Sequence, residues 1–340
     1  MSLWPWKKDS VEAGPALDDF SPVVPVTAIP PRSPGHTPGD GDERTRKRAL
    51  HLHELWLEGK AEGQQADFSR ASLNRVQWPN VLLSGARLTN TSWLEADLTQ
   101  AALANADLSG SDLRGAMLNR ADLTGAQLDD ACLERVWLQQ ANLSECRLAH
   151  VSLHAAHLEQ ARLLEAVVSE GDFTDARLDG AAFLQARIAM SNFSRAFLEE
   201  SSFLKARIQL TRFYSARLAG ANFSQALLLD CDLALADLVA ARFYGADASR
   251  SLFIRSNLRE TDFREAKAAG ADFGGAALQN ARFGGANLQS ADLRGANLTG
   301  AREMTAHQLS QARTDSSTIL PNGKPGPYLR RSGAERPSSA

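Results

Sequence analysis

The chain has 340 residues, with 37 Lys and Arg against 40 Asp and Glu and a formal net charge of −3. That balance excludes a nucleic-acid binder working through concentrated basic charge, because phosphate contacts demand a positive surface. No stretch approaches the roughly 18 consecutive apolar residues of a spanning helix, and the first eight residues lack the apolar segment of a secretion signal, so a cytoplasmic protein is expected.

In chain order, residues 1–41 hold eight of the 13 prolines, with Gly, Ser, Thr and Asp between them, the composition of a disordered, partly extended leader. Its tip, Trp4-Pro5-Trp6-Lys7-Lys8, places two tryptophans where there is no local core, which points to a short docking motif for a protein partner. Residues 42–65 are expected to form an N-terminal cap helix and a linker. Acidic residues stand at its start, Ala49, Leu52 and Trp56 fall at i, i+3 and i+7, and Gly59 follows its end. The basic run Arg44-Thr45-Arg46-Lys47-Arg48 belongs to the solvated face of that helix.

From residue 66 to 301 every fifth residue is small, and the residue two places later is large and apolar. The large series, Phe68 to Leu298, has 47 positions, of which 28 are Leu and 12 are Phe. The others are Trp78, Trp93, Val168, Ile188, Ile208, Ala248 and Ala268, and neither series contains a charge. A period of five fits neither a helix at 3.6 residues per turn nor a strand at two, so it is a structural repeat. Each five-residue unit makes one side and then turns, with the large residue inward and the small one in the corner. Phe recurs every ten residues from Phe173 to Phe223 and from Phe243 to Phe283, that is, on every second side. A four-sided coil of 20 residues stacks Phe on Phe on two opposite walls, whereas a three-sided coil would break the columns. Roughly twelve coils at about 4.8 Å would give a rod on the order of 57 Å.

Units such as Ala121-Asp122-Leu123-Thr124-Gly125, Ala286-Asn287-Leu288-Gln289-Ser290 and Ala291-Asp292-Leu293-Arg294-Gly295 resemble the A(D/N)LXX pentapeptide-repeat family. The resemblance implies an all-β fold, a right-handed quadrilateral parallel β-helix, over residues 66–302. His53, Trp56-Leu57 and Gly59 ahead of the repeat are similar to the segment preceding it in bacterial members. The repeat is expected to stop at Arg302-Glu303, where a charge enters the large series. Residues 303–330 then form a C-terminal cap, with a capping box at Thr305 and Gln308, a staple between Met304 and Leu309, and Ile319-Leu320-Pro321 packed back; a polar tail fills 331–340.

Little in this pattern supports chemistry. His150, His154 and His157 fall on three consecutive sides and point outward, so they cannot converge on one metal ion. Cys146 and Cys231 occupy the small inward position and Cys132 points outward, with no CxxC pair. No nucleophile, phosphate-loop or dinucleotide motif occurs, and no catalytic residue, cofactor or metal is assigned.

Function is therefore expected on the outer surface. Leu164, Leu184, Leu204, Ser224 and Tyr244 lie 20 residues apart and stack as one outward ladder; Met117, Trp137, His157, Arg177, Phe197 and Arg217 form another. Aligned ladders make a continuous patch, the signature of an interface with a protein partner or a second copy. The resemblance implies two further readings: a DNA-mimicking modulator of DNA gyrase or topoisomerase, and a secretion-system component or effector exported without a signal peptide. The mimic requires a dense acidic track, whereas residues 161–217 carry eight basic against seven acidic side chains.

Overall fold

The computed structural model describes residues 42–337. The residue before each large one bridges in parallel to its counterpart 20 residues later, from Asp67 with Arg87 through to Arg282 with Arg302. One coil therefore has four sides. We name the walls by their inward residues: wall A from Phe68 to Leu288, wall B from Leu73 to Leu293, wall C from Trp78 to Leu298, and wall D from Leu83 to Phe283. Successive coils are joined by backbone bonds, as where the Phe68 amide donates to the Arg87 carbonyl (2.8 Å) and the Arg87 amide to the Ala66 carbonyl (3.0 Å).

The corners follow from local chemistry. The small residue's amide donates back to the large residue's carbonyl, Ala71 to Phe68 at 3.0 Å, and the residue between adopts positive φ, 64° at Arg70. This is type II turn geometry. Pro79 sits second in such a turn, the position its fixed φ favours, ahead of Asn80 at φ 61°. The Asp or Asn before each large residue accepts from the amide two places on, Asp97 from Thr99 at 3.0 Å and Asn222 from Ser224 at 3.0 Å. Short polar side chains recur there because they close the corner.

Wall A is the most regular. β1 (Arg147–Ala149), β2 (Val167–Ser169), β3 (Arg187–Ala189), β4 (Arg207–Gln209) and β5 (Leu227–Leu229) form a parallel sheet in sequence order. Next to these strands the corner amides of Gly171 and Cys231 donate to Ser191 Oγ (3.1 Å) and Ser251 Oγ (3.2 Å) one coil further on. Small hydroxyls in the corners also donate inward, Ser111 Oγ to the Leu88 carbonyl at 2.6 Å and Ser251 Oγ to the Leu228 carbonyl at 2.9 Å.

The interior is filled by the large series. Phe173, Phe193 and Phe213 stack on wall B with centroids 4.4 and 5.1 Å apart. Phe183, Phe203, Phe223, Phe243, Phe263 and Phe283 stack on wall D at 4.6 to 5.4 Å. The two columns touch edge to face, Phe203 to Phe213 at 5.8 Å and Phe253 to Phe263 at 6.0 Å. Stacked and T-shaped pairs are the favoured aromatic geometries.

The N-terminal end is covered by α1 (Glu43–Leu57), capped by Asp42, whose side chain accepts from the Thr45 amide at 3.0 Å. Its inward face carries Ala49, Leu50 and the buried His53; Leu52 is half-buried, and Trp56, 38% exposed, stacks on His53 and lays its ring over the Gly85 corner. The linker doubles back beneath the helix so tightly that a Cβ on Gly63 would meet the Trp56 backbone at 2.3 Å, and this turns His53 onto the repeat.

At the other end the coil continues past 302. Glu303 is not buried in the large position: it takes φ 60° and reaches Arg282 at 2.6 Å, while Met304 turns inward at 6% exposure. α2 (Ala306–Gln311) then replaces one side of a final coil, and Arg313 and Ile319 bridge in parallel to Asp292 and Asn297. The capping box between Thr305 and Gln308 is present, and Gln308 Nε2 also donates to the Phe283 (2.7 Å) and Ala286 (2.8 Å) carbonyls. The expected tail is folded at least through Ala334, which is buried and accepts from the Asn322 amide, because Tyr328 packs on the core and holds Glu335 at 3.1 Å.

Candidate interaction surfaces

The side chains at i−1 and i+1 of every unit project outward from the walls in columns with one rung per coil. On wall C the column expected from the sequence is continuous and tightly stacked. Trp137 and His157 lie face to face at 4.2 Å and 4°. Arg177 donates to Glu159 at 2.9 Å and sits 5.6 Å from the Phe197 ring, whose other side Arg217 covers at 4.8 Å. Trp137 has one face against His157 and is 42% exposed, and Phe197 is half-buried between two guanidinium groups. Beside Trp137, Asn119, Gln139, Gln140 and Arg120 line a shallow groove; Arg120 donates to Gln140, and Gln140 to Gln160, both at 2.9 Å.

On wall D, Leu164, Leu184 and Leu204 are each half-buried, because every rung covers its neighbours. Tyr244, 44% exposed, lies two coils beyond Leu204 and has Arg264 at 5.8 Å from its ring. The structure thus aligns both ladders on separate walls and does not merge them into one patch. Trp4 and Trp6 lie outside the described residues.

A third apolar group, on wall B, escaped the search for rungs of one kind. Tyr214 (42% exposed) and Leu235 (45%) stand beside half-buried Leu252 and Ile254. They occupy three adjacent columns, so only a search across columns as well as along them would have found them.

The histidines are engaged separately. His150 Nδ1 is 3.2 Å from Asp130 and its Nε2 3.6 Å from Glu170, the rungs on either side, while His157 is in the aromatic stack. The inward thiols serve packing: Cys146 Sγ donates to the Leu123 carbonyl at 3.0 Å. Burial pushes Cys146 and Cys231 up to about 12.

The description pentapeptide repeats matches in eight copies, spanning residues 96–183 and 216–312. No curated protein matches the chain. Among solved structures, a trypsin-treated form of QnrB1, a plasmid-mediated fluoroquinolone resistance protein, is 17% identical over 60% of this chain and 89% of its own, with a TM-score of 0.27. HetL, a pentapeptide repeat protein involved in heterocyst differentiation regulation from the cyanobacterium Nostoc sp. strain PCC 7120, is 26% identical over 81% of this chain and 98% of its own, with a TM-score of 0.21. No helix among the described residues is long and apolar enough to cross a membrane. With the five-residue unit, the 20-residue coil and the repeat description matching more than half its length, the chain belongs to the pentapeptide-repeat family.

Proposed function

We propose that the protein is a non-catalytic interaction scaffold that holds a protein partner, or a second copy of itself, against walls C and D. The supporting observation is that the interior takes up every large residue of the repeat except the half-buried Trp78, so sequence variation along the rod falls on the outer columns. On two walls that variation is an aligned apolar or aromatic ladder. Side chains already stacked on one another lose little freedom on binding, which favours affinity from a modest area. Trp4 and Trp6 would add a tethered second contact, tested by removing residues 1–8. The reading assigns no cofactor and no metal, and places the protein in the cytoplasm.

Leu184→Glu combined with Leu204→Glu puts two charges on wall D without touching the interior. Mass photometry and crosslinking should show loss of the oligomer or of a partner; if both persist unchanged, wall D is not the interface. Trp137→Ala asks the same of wall C. A gyrase supercoiling assay with added protein separates this reading from DNA mimicry: the scaffold leaves supercoiling unchanged, and a mimic inhibits it.

A further inference from the structure

Polar side chains join α1 to the first coil. Arg46 donates to the Ser72 carbonyl at 3.2 Å, and His53, fully buried, accepts from the Ala66 amide through Nδ1 at 3.0 Å. The His53 ring also stacks on Trp56 with centroids 5.2 Å apart. The Ala66 amide can only donate, so the docked helix requires an unprotonated Nδ1. Nε2 then carries the proton; it is buried without a partner of good hydrogen-bond geometry, and the Ser84 backbone offers it only a looser one. An imidazolium in this place would set an N–H against an N–H and bury a charge.

We propose that α1 is a pH-gated cover: taking up a proton on His53 releases the helix from the first coil and opens the N-terminal edge of the β-helix. This inference is independent of which wall binds a partner. Few charges face His53. Within α1, Glu54 acts on the ring, favouring its charged form, and it is 51% exposed at its side chain, where water screens it. In the first coil Asp67 is next to Ala66, but its carboxylate is turned onto the Ser69 amide at 3.0 Å. From the wall D corner the acting group is the Ser84 backbone, which does not titrate.

Burial is the dominant influence and holds His53 below the ordinary imidazole value of 6.5, against the smaller opposing effects of Ser84 and Glu54. The released helix, with a solvated imidazole, therefore binds the proton more readily than the docked one. Docking is strongest above about pH 6.5 and weakens as the pH falls below it, until the depressed docked-state value is passed. Release uncovers the Ala66 amide and the Ser72 carbonyl, an open strand edge of the kind that pairs with other chains.

Hydrogen-exchange mass spectrometry on the full chain tests the cover. Corrected for intrinsic exchange, protection of residues 44–66 should fall at least tenfold between pH 7.5 and 5.0, while residues 170–230 stay constant. In His53→Asn, whose side-chain oxygen can accept from Ala66 but does not titrate, any protection present at pH 7.5 should persist at pH 5.0. A His53 NMR titration in the unaltered protein should give a midpoint below 6.5 that coincides with loss of protection. Constant protection of 44–66 in the unaltered protein, a His53 midpoint at or above 6.5, or the same acid transition in His53→Asn would each overturn the proposal.

Discussion

Replacing Phe213 by Ala probes the paired Phe columns at a ring that touches both of them. The ring is fully buried, stacks on Phe193 at 5.1 Å and meets Phe203 and Phe223 edge to face at 5.8 and 6.2 Å. Emptying a filled Phe site costs about 3–5 kcal/mol, and aromatic pairs contribute about 0.5–1.5 kcal/mol each beyond area burial, which places this substitution at the upper end. Phe283, at the end of its column, stacks only on Phe263 among the described residues, at 5.4 Å, and Phe283→Ala should cost less. Because each coil contacts only its neighbours, the damage should stay local. Hydrogen exchange should show a loss of protection of roughly a hundredfold or more within residues 190–235, with residues 100–140 unaffected. A loss spread evenly along the chain, or a cost for Phe283→Ala equal to that for Phe213→Ala, would refute this picture of the core.

Three further outcomes can be checked by denaturant melts or thiol labelling. At the corners, Ala240 has φ 56° and is exposed, so Ala240→Gly should stabilise by about 0.5–1 kcal/mol, whereas Gly110→Ala should destabilise, since Gly110 holds φ 67° and the Asn90 side chain must also move aside for a Cβ. Gln308→Ala removes the capping box and the side-chain donor to the Ala286 carbonyl, while the Phe283 carbonyl keeps the Ala286 amide, and it should cost about 1–3 kcal/mol, loosening the C-terminal coil before the rest. Cys146 and Cys231, pushed up to about 12 by burial, should resist alkylation at pH 8 in the native protein, while half-buried Cys132 reacts first.

The five-residue period carried most of the fold, because a large residue at fixed spacing has one way to be buried, and the ten-residue Phe spacing fixed the number of sides before any coordinates. What escaped was what breaks or decorates the period. Arg313 and Ile319 sit 21 and 22 residues after their partners, since the side holding α2 and the side after it are each one residue longer, so the final coil is invisible to a five-residue template. In the sequence His53 is only a neighbour of the repeat; its role depends on how the linker rolls α1. Of the surface residues, Trp137 and Phe197 fall in the stack that their spacing implied, whereas Leu164, Leu184 and Leu204 are less open than an exposed column suggests, because the same alignment lets each shield the next. The wall B group around Leu235 shares no single column and so had no periodic signal.

The central claim is that function resides on particular outer walls of an otherwise inert tube. A photocrosslinking residue placed in the full chain at position 184 on wall D, at 137 on wall C, and at 109 on wall A tests it most directly under native conditions. The account predicts a defined adduct, with a second copy or one partner protein, from 184 or 137 and none from 109. Equal adducts from all three, or an adduct from 109 alone, would contradict it.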